Sequence, residues 1–402
     1  ITVRILTIAC RAPETCATLP TISNLAHIED VIIDSSCNHV TEVSTGFLLS
    51  CSAKTLTMSR GCFSQVLRVG SDFLYDWREQ GCKRIDFPKG AFNHTTEIGK
   101  NFMSINEKLF HVSFQPGCFG ALQKVGDDFL ARLTSLKTIV FPEGCFTQLV
   151  EVGKSFLVCQ RKGRTVKFPQ GCFSQLRIVG ANFMRMSTWE ELSFPEGAFE
   201  QVESIDSHFL ANCRDLRAIS LPPGSFSNVI EIGDHFLTDC RLLQANPFHH
   251  EGTFSKTISI GNTFLFGCES LVNLSLPPNS FSQVRKVGSS FLRALEKLKR
   301  LDFPRGCFSE LEVVSHDFMS DCPKLETVKF PPNSLANLTT LLSPSFRACL
   351  RLKNVTLPLA AKTRQLTVPE EQRTIGTQLL FEFREKKGTA SATFIASGFS
   401  WK

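Results

Sequence analysis

The stretch Leu298-K-R-L-D-F-P-R-G-C-F-S-E-L-E-V-V-S-H-D-F-M-S-D-C-P-Lys324 decides the reading, because at Leu325 it starts again as L-E-T-V-K-F-P-P-N-S-L. Outward from it, the phrase V-G-x-x-F-L or a close variant recurs. Its glycines are Gly70, Gly99, Gly126, Gly153, Gly180, Gly233, Gly261 and Gly288, with Asp206 and Ser315 in the same slot. Successive spacings are 29, 27, 27, 27, 26, 27, 28, 27 and 27 residues. A period in this range marks a solenoid, in which each unit contacts only its neighbours, so a long chain need not divide into separate cores. About eleven units run from Ile28 to roughly Pro358.

Inside a unit, the segment L-x-x-I/L/V-x-F/L, as in Leu136, Ile139 and Phe141, predicts a short strand whose end alternates with period two. The proline that follows, such as Pro142, Pro304 or Pro331, has no amide hydrogen to donate and ends it. Three residues beyond the strand's last apolar residue stands Gly144, Gly171, Gly197, Gly224 or Gly306, and elsewhere Asn279 or Asn333. These residue types take positive φ most readily, so a left-handed backbone is expected there. The V-G dipeptide reads as a turn element repeated along the array.

The 36 Phe, against one Tyr and three Trp, fall mostly into three columns. One runs from Phe73 to Phe318, a second from Phe63 to Phe308, and a third closes the strands. Piled at the strand spacing of roughly 4.8 Å, such rings form interior spines, each contributing about 2 kcal/mol by burial. The sixteen cysteines sort likewise. Cys62, Cys118, Cys145, Cys172 and Cys307 share a slot with Ala91, Ala198, Ser225, Thr253 and Ser280, which asks for a small side chain. Cys51, Cys213, Cys240, Cys268, Cys322 and Cys349 share one with Leu295, which asks for an apolar one. Buried free thiols are expected, with the leading segment holding Cys10 and Cys16 as the place for any disulfide.

The unit Leu325-x-x-Val328-x-Phe330-x-x-Asn333-x-Leu335 resembles the leucine-rich-repeat signature, as does Leu271-x-x-Leu274-x-Leu276-x-x-Asn279-x-Phe281. The BspA-like subfamily is echoed by Phe330-Pro331 and by Ile232-Gly233-x-x-Phe236-x-x-x-Cys240-x-x-Leu243. Here Gly usually replaces the Asn or Cys of that signature, and each unit carries an extra F-S-Q-L-like segment. The resemblance implies an α/β-type repeat solenoid, a right-handed coil of about eleven 27-residue units with parallel strands on its concave face and capped ends. Residues 1–27 are then an N-terminal cap, 28–359 the solenoid, and 360–402 a C-terminal capping helix over Pro369 to Lys387 with a flexible tail.

A net charge of +6 over 402 residues, with no dense basic block, does not suggest nucleic-acid binding. No window approaches the length of an apolar membrane span. The chain starts at Ile1 rather than Met, so the true N-terminus, and with it any targeting signal, is expected to have been removed, and localisation stays open between cell surface and cytoplasm. His208 and His235 share a slot with Asp128, Asn182 and Asp317, the composition of an exposed turn rather than a metal site. No nucleophile has a partner distinct from the repeat, and no cofactor motif appears. Arg68, Glu97, Lys124 and Glu151 alternate in sign in successive units, so stacked slots would pair them.

Function is therefore expected on outward strand positions: Asp86, Ser113, Lys167, Ser193, Ser220, Asn273, Ser275, Arg300, Asp302 and Lys329. That face is polar and poor in Trp and Tyr, which favours a broad, modest contact. The expected partner is a protein or glycan held by a monomeric, non-enzymatic scaffold. The alternative that the resemblance implies is a cell-surface adhesion or antigenic coat protein, with weak support from the Asn-x-Ser/Thr triplets at Asn93, Asn273, Asn337 and Asn354.

Overall fold

The computed structural model describes residues 4–10, 16–77, 81–163, 165–342 and 345–356, and the backbone of 379–380, 383–386, 389–392 and 395–396. The chain falls into two compact units, Ile1–Gln201 with Ser220–Pro222, and Val202–Ile219 with Pro223–Lys402. Each is a parallel β-solenoid in which most turns contribute two short strands.

The strand expected before the proline is present. In the first unit, Ile5–Ile8, Asp30–Ile33 and Thr55–Met58 pair in parallel, as do Arg84–Phe87, His111–Phe114 and Thr138–Val140, and then Thr165–Lys167 with Glu191–Ser193. In the second unit Leu274–Ser275, Arg300–Asp302, Thr327–Lys329 and Asn354–Thr356 form one sheet. These face strands alternate buried and exposed residues, as Arg84–Phe87 does. The turn before Leu274 lacks the strand. There Asn246 Nδ2 donates to the Ser275 and Phe248 carbonyls at 2.6 and 2.7 Å.

The second ladder corrects the reading of V-G as a turn. Arg68–Val69, Glu97–Ile98, Lys124–Val125, Glu151–Val152 and Ile178–Val179 are parallel strands in register in the first unit. Glu231–Ile232, Ser259–Ile260, Lys286–Val287, Val313–Val314 and Thr340–Leu341 do the same in the second. The glycine that follows serves close approach. A Cβ on Gly126 would stand 2.7 Å from the Gly99 carbonyl carbon, and one on Gly288 2.5 Å from that of Gly261. Where Ser315 fills the slot, its amide reaches the Val287 oxygen at 3.0 Å instead of the 2.8 Å of Gly288 to Ile260.

The helical part of the expectation is not met: among the described residues there is no α-helix, only the 3-10 turn Ser35–His39. Tight turns take its place, and they depend on left-handed backbone. The expected positions adopt it, from Gly144 (φ 80°) and Gly306 (83°) to Asn279 (62°) and Asn333 (68°). So do residues that composition does not flag, including the whole second Phe column, with Phe119 at φ 61°. Such a conformation costs roughly 1–3 kcal/mol for a non-glycine residue, which burying the ring offsets.

The rings pile as expected within each unit. Phe73, Phe102, Phe129, Phe156 and Phe183 stack at 4.9, 5.1, 5.4 and 5.3 Å. Phe63, Phe92, Phe119, Phe146 and Phe173 stack alongside at 5.1 to 5.9 Å. The columns meet edge to face, as between Phe92 and Phe102 at 81°, the arrangement that aromatic quadrupoles prefer. In the second unit Phe209, Phe236, Phe264, Phe291 and Phe318 repeat the pattern.

The cysteine slots turn out to be donor slots. In the small-residue slot Cys172 Sγ, Ser280 Oγ and Ser334 Oγ donate to the carbonyls of Cys145, Thr253 and Cys307, their equivalents one turn back. In the slot read as apolar, Cys240, Cys268, Cys322 and Cys349 turn their thiols to the carbonyls of Leu210, Leu237, Leu292 and Met319. All four acceptors have left-handed φ. Trp77, Asn106, Gln160 and Ser187 serve Leu48, Leu74, Leu130 and Leu157 in the same way. Where a donor fills the slot it serves a carbonyl that the turn geometry would orphan, while Leu133 and Leu295 fill it as buried apolar side chains.

The leading segment is a degenerate turn, with Ile5–Ile8 beside Asp30–Ile33 and Thr18–Leu19 beside Glu42–Val43. The helix expected over 369–387 lies largely outside the described residues. Its described parts, Leu379–Leu380 and Phe383–Lys386, are strands paired antiparallel with Ile395–Ala396 and Thr389–Ala392. Thr389 and Ile395 are β-branched, a strand preference that the apolar spacing of Ile375, Leu379 and Phe383 obscured.

Candidate functional site

The face strands hold their outward side chains at ladder spacing. Of the ten candidate residues, Asp86, Lys167, Ser193, Ser220, Asn273, Ser275, Arg300, Asp302 and Lys329 are exposed. Ser113 is not: it is 6% exposed. Its Oγ donates to Asp86 Oδ1 at 2.7 Å and accepts from Gln115 Nε2 at 3.4 Å, so long neighbours cover it.

In the first unit the register sets Arg84, His111 and Thr138 in one row and Asp86, Ser113 and Val140 in the next. Arg84 grips Asp86 through Nε and Nη2 at 2.5 and 3.1 Å. His111 Nδ1 meets Thr138 Oγ1 at 2.6 Å, while His111 Nε2 lies 3.4 Å from Asp86 Oδ1 without a hydrogen bond. Partial burial pushes the Asp86 carboxyl up, but hydrogen bonds from Arg84 and Ser113 and the nearby positive charge outweigh it and hold the group below its ordinary value. Further along, Lys167 stands beside Ser193. In the second unit Ser275, Asp302 and Lys329 stand side by side, and Arg300 closes on Asp302 at 2.7 and 2.9 Å.

Sequence reasoning missed a cleft of about 400 Å³ bordering this face, lined by Lys54, Thr57, Cys82, Lys83, Arg84 and Asp86. The 29-residue spacing between Gly70 and Gly99 was its one signal, since the longer turn leaves Thr55–Met58 and Arg84–Phe87 in separate sheets. Of the alternating charges, Lys124 lies 3.0 Å from Glu151, as expected, whereas Arg68 lies 3.5 Å from Glu42 of the turn before. His208 and His235 stack at 4.3 Å. Among the described residues no group of three or more His, Cys, Asp or Glu is placed to hold a metal.

No curated protein matches the sequence. Solved structures similar to the chain include a leucine-rich repeat protein from Bacteroides ovatus ATCC 8483, 15% identical over 80% of this chain and 77% of that one, with a TM-score of 0.38. Others are the pneumococcal vaccine antigen PcpA (14%, 92% and 82%, 0.41) and a leucine rich cell surface protein from Faecalibacterium prausnitzii A2-165 (16%, 84% and 86%, 0.34). Residues 96–244, 177–306 and 252–368 match the family described as BspA type Leucine rich repeat region, in six copies. With those matches spanning more than half its length on the repeated turns described above, the chain belongs to the BspA type leucine-rich-repeat family.

Proposed function

We propose that the chain is a non-enzymatic interaction scaffold that holds a protein or glycan against the outward rows of its face strands. One observation carries this reading: nine polar side chains on those rows are exposed while the backbone beneath them is pinned by parallel ladders and stacked rings. A surface fixed in advance loses little conformational entropy on contact. Trp77 and Trp189 are buried, so the rows lack the aromatic anchors of tight interfaces and suit a broad, modest contact. The nearest approach to a catalytic set, Thr138, His111 and Asp86, lacks the carboxylate-to-imidazole hydrogen bond that orients a general base. Replacing Ser193, Ser220 and Ser275 with Glu tests the proposal. Affinity capture with the wild-type chain should retain a partner that the triple variant loses at unchanged circular dichroism, and equal retention by both would reject the face.

A second reading, surface adhesion or antigenic display, draws on Asn273 and Asn337, which are exposed and begin Asn-x-Ser/Thr triplets. A glycan on Asn273 would sit on the strand face itself, so glycosidase sensitivity of that site in the native source separates the readings.

A further inference from the structure

Thiols of both cysteine slots turn to backbone carbonyls, as Cys172 and Cys240 do, whereas in the leading turn the sulfurs face one another. Cys16 belongs to neither slot, and its Sγ lies 2.7 Å from that of Cys10. Cys10 Sγ is in turn 3.6 Å from Cys37 Sγ. Cys10 is 5% exposed and Cys37 1%, whereas Cys16 is half-exposed. The Cys10 amide is held by Ser36 Oγ at 3.0 Å, and the Cys37 thiol faces the Ile8 carbonyl at 3.6 Å. The arrangement is a solvent-side thiol against a fixed, covered one, with a third thiol behind.

We propose that Cys10 and Cys16 are an oxidisable pair that closes to a disulfide, leaving Cys37 reduced behind it. With a small-molecule disulfide such as glutathione disulfide as oxidant, the Cys16 thiolate attacks one glutathione sulfur and expels the other glutathione as thiolate. The Cys10 thiolate then attacks the Cys16 sulfur of the mixed disulfide and expels the second glutathione. One sulfur–sulfur bond forms in the protein and one is lost from the oxidant. Two electrons pass to the two glutathiones, which take up the two protons that the cysteines release. Burial pushes the Cys10 thiol up, and the contact with Cys10 pushes Cys16 up, so closure quickens as pH rises. The bridge would join the end of Ile5–Ile8 to the start of Thr18–Leu19, tying the two ladders of the first turn together.

The test equilibrates the full chain with reduced or oxidised glutathione, quenches it, unfolds it and labels free thiols with N-ethylmaleimide for intact mass. Sixteen labels are expected after reduction and two fewer after oxidation, with the missing pair mapped to Cys10 and Cys16 in linked peptides. Cys16→Ser should take all of its remaining labels under both conditions. Sixteen labels in the oxidised wild type, a bridge from Cys10 to Cys37, or loss of two labels in Cys16→Ser would each overturn the assignment. The mapping of the wild-type bridge decides the question even if the variant folds poorly.

Discussion

Phe119→Ala should remove about 3–5 kcal/mol of stability from the first unit, the usual range for emptying a buried aromatic site. The ring is fully buried. It stacks between Phe92 at 5.5 Å and Phe146 at 5.6 Å, and meets Phe114, Phe129 and Phe102 edge to face at 4.7, 6.1 and 6.2 Å. The hole cannot close easily, because the turns on either side are pinned, with the Phe146 amide bonded to the Phe119 carbonyl and Gly126 tight against Gly99. Alanine gains nothing from the backbone either, since φ of 61° remains left-handed. Urea unfolding followed by fluorescence of the buried Trp77 and Trp189 reads the effect in the unit that contains both. A loss under about 1 kcal/mol would refute the reasoning, because the ring could not then be enclosed on all sides.

Other consequences can be checked separately. Gly126→Ala puts a Cβ 2.7 Å from the Gly99 carbonyl carbon and 2.8 Å from the Lys100 nitrogen, and should cost about 1–3 kcal/mol in thermal or urea unfolding, whereas Ser315→Gly should cost nothing. Burial pushes Cys62 to about 11 and Cys118 and Cys172 to about 12 from the ordinary 9.0. Their folded states favour the protonated thiol, so stability should be intact below pH 9 and fall as pH rises from 9 toward 12; a urea midpoint flat across that window would contradict it. The Asp86 carboxyl, held below its ordinary 3.8, should keep its grip on Arg84 and Ser113 above that pH and release them as pH falls through its folded value. Carboxyl carbon NMR would show the low midpoint, and an ordinary one would show that the cluster is not formed.

The period and the ring columns were legible because burial imposes them on every turn, and one residue type in one slot cannot be mistaken. The second ladder was not. A two-residue strand such as Lys124–Val125 is too short to show alternation, and the glycine after it suggested a turn where the structure uses it for contact between backbones. The missing α-helix has a similar cause: the family signature fixes the face strand, while the extra F-S-Q-L segment, with Phe119 and its equivalents left-handed, builds tight turns that no propensity scale anticipates. The outward positions of the face strands were readable from period two. What covers them was not, so the hydroxyl of Ser113 went unrecognised as the partner of Asp86. The donor slot was hidden for a different reason, since Trp77, Asn106, Gln160, Ser187 and Cys240 look unrelated until each is seen to satisfy the same carbonyl one turn back.

Amide hydrogen exchange at Gly99, Gly126 and Gly153 tests most directly whether successive turns stack backbone on backbone. Each amide donates at 2.8 Å to the turn before it, to Val69, Ile98 and Val125 respectively. Stacked turns predict exchange that is slow at all three and slower than at exposed turn positions such as Lys89. Exchange of the three glycines at the rate of an unstructured chain would contradict the solenoid and the fixed face built upon it.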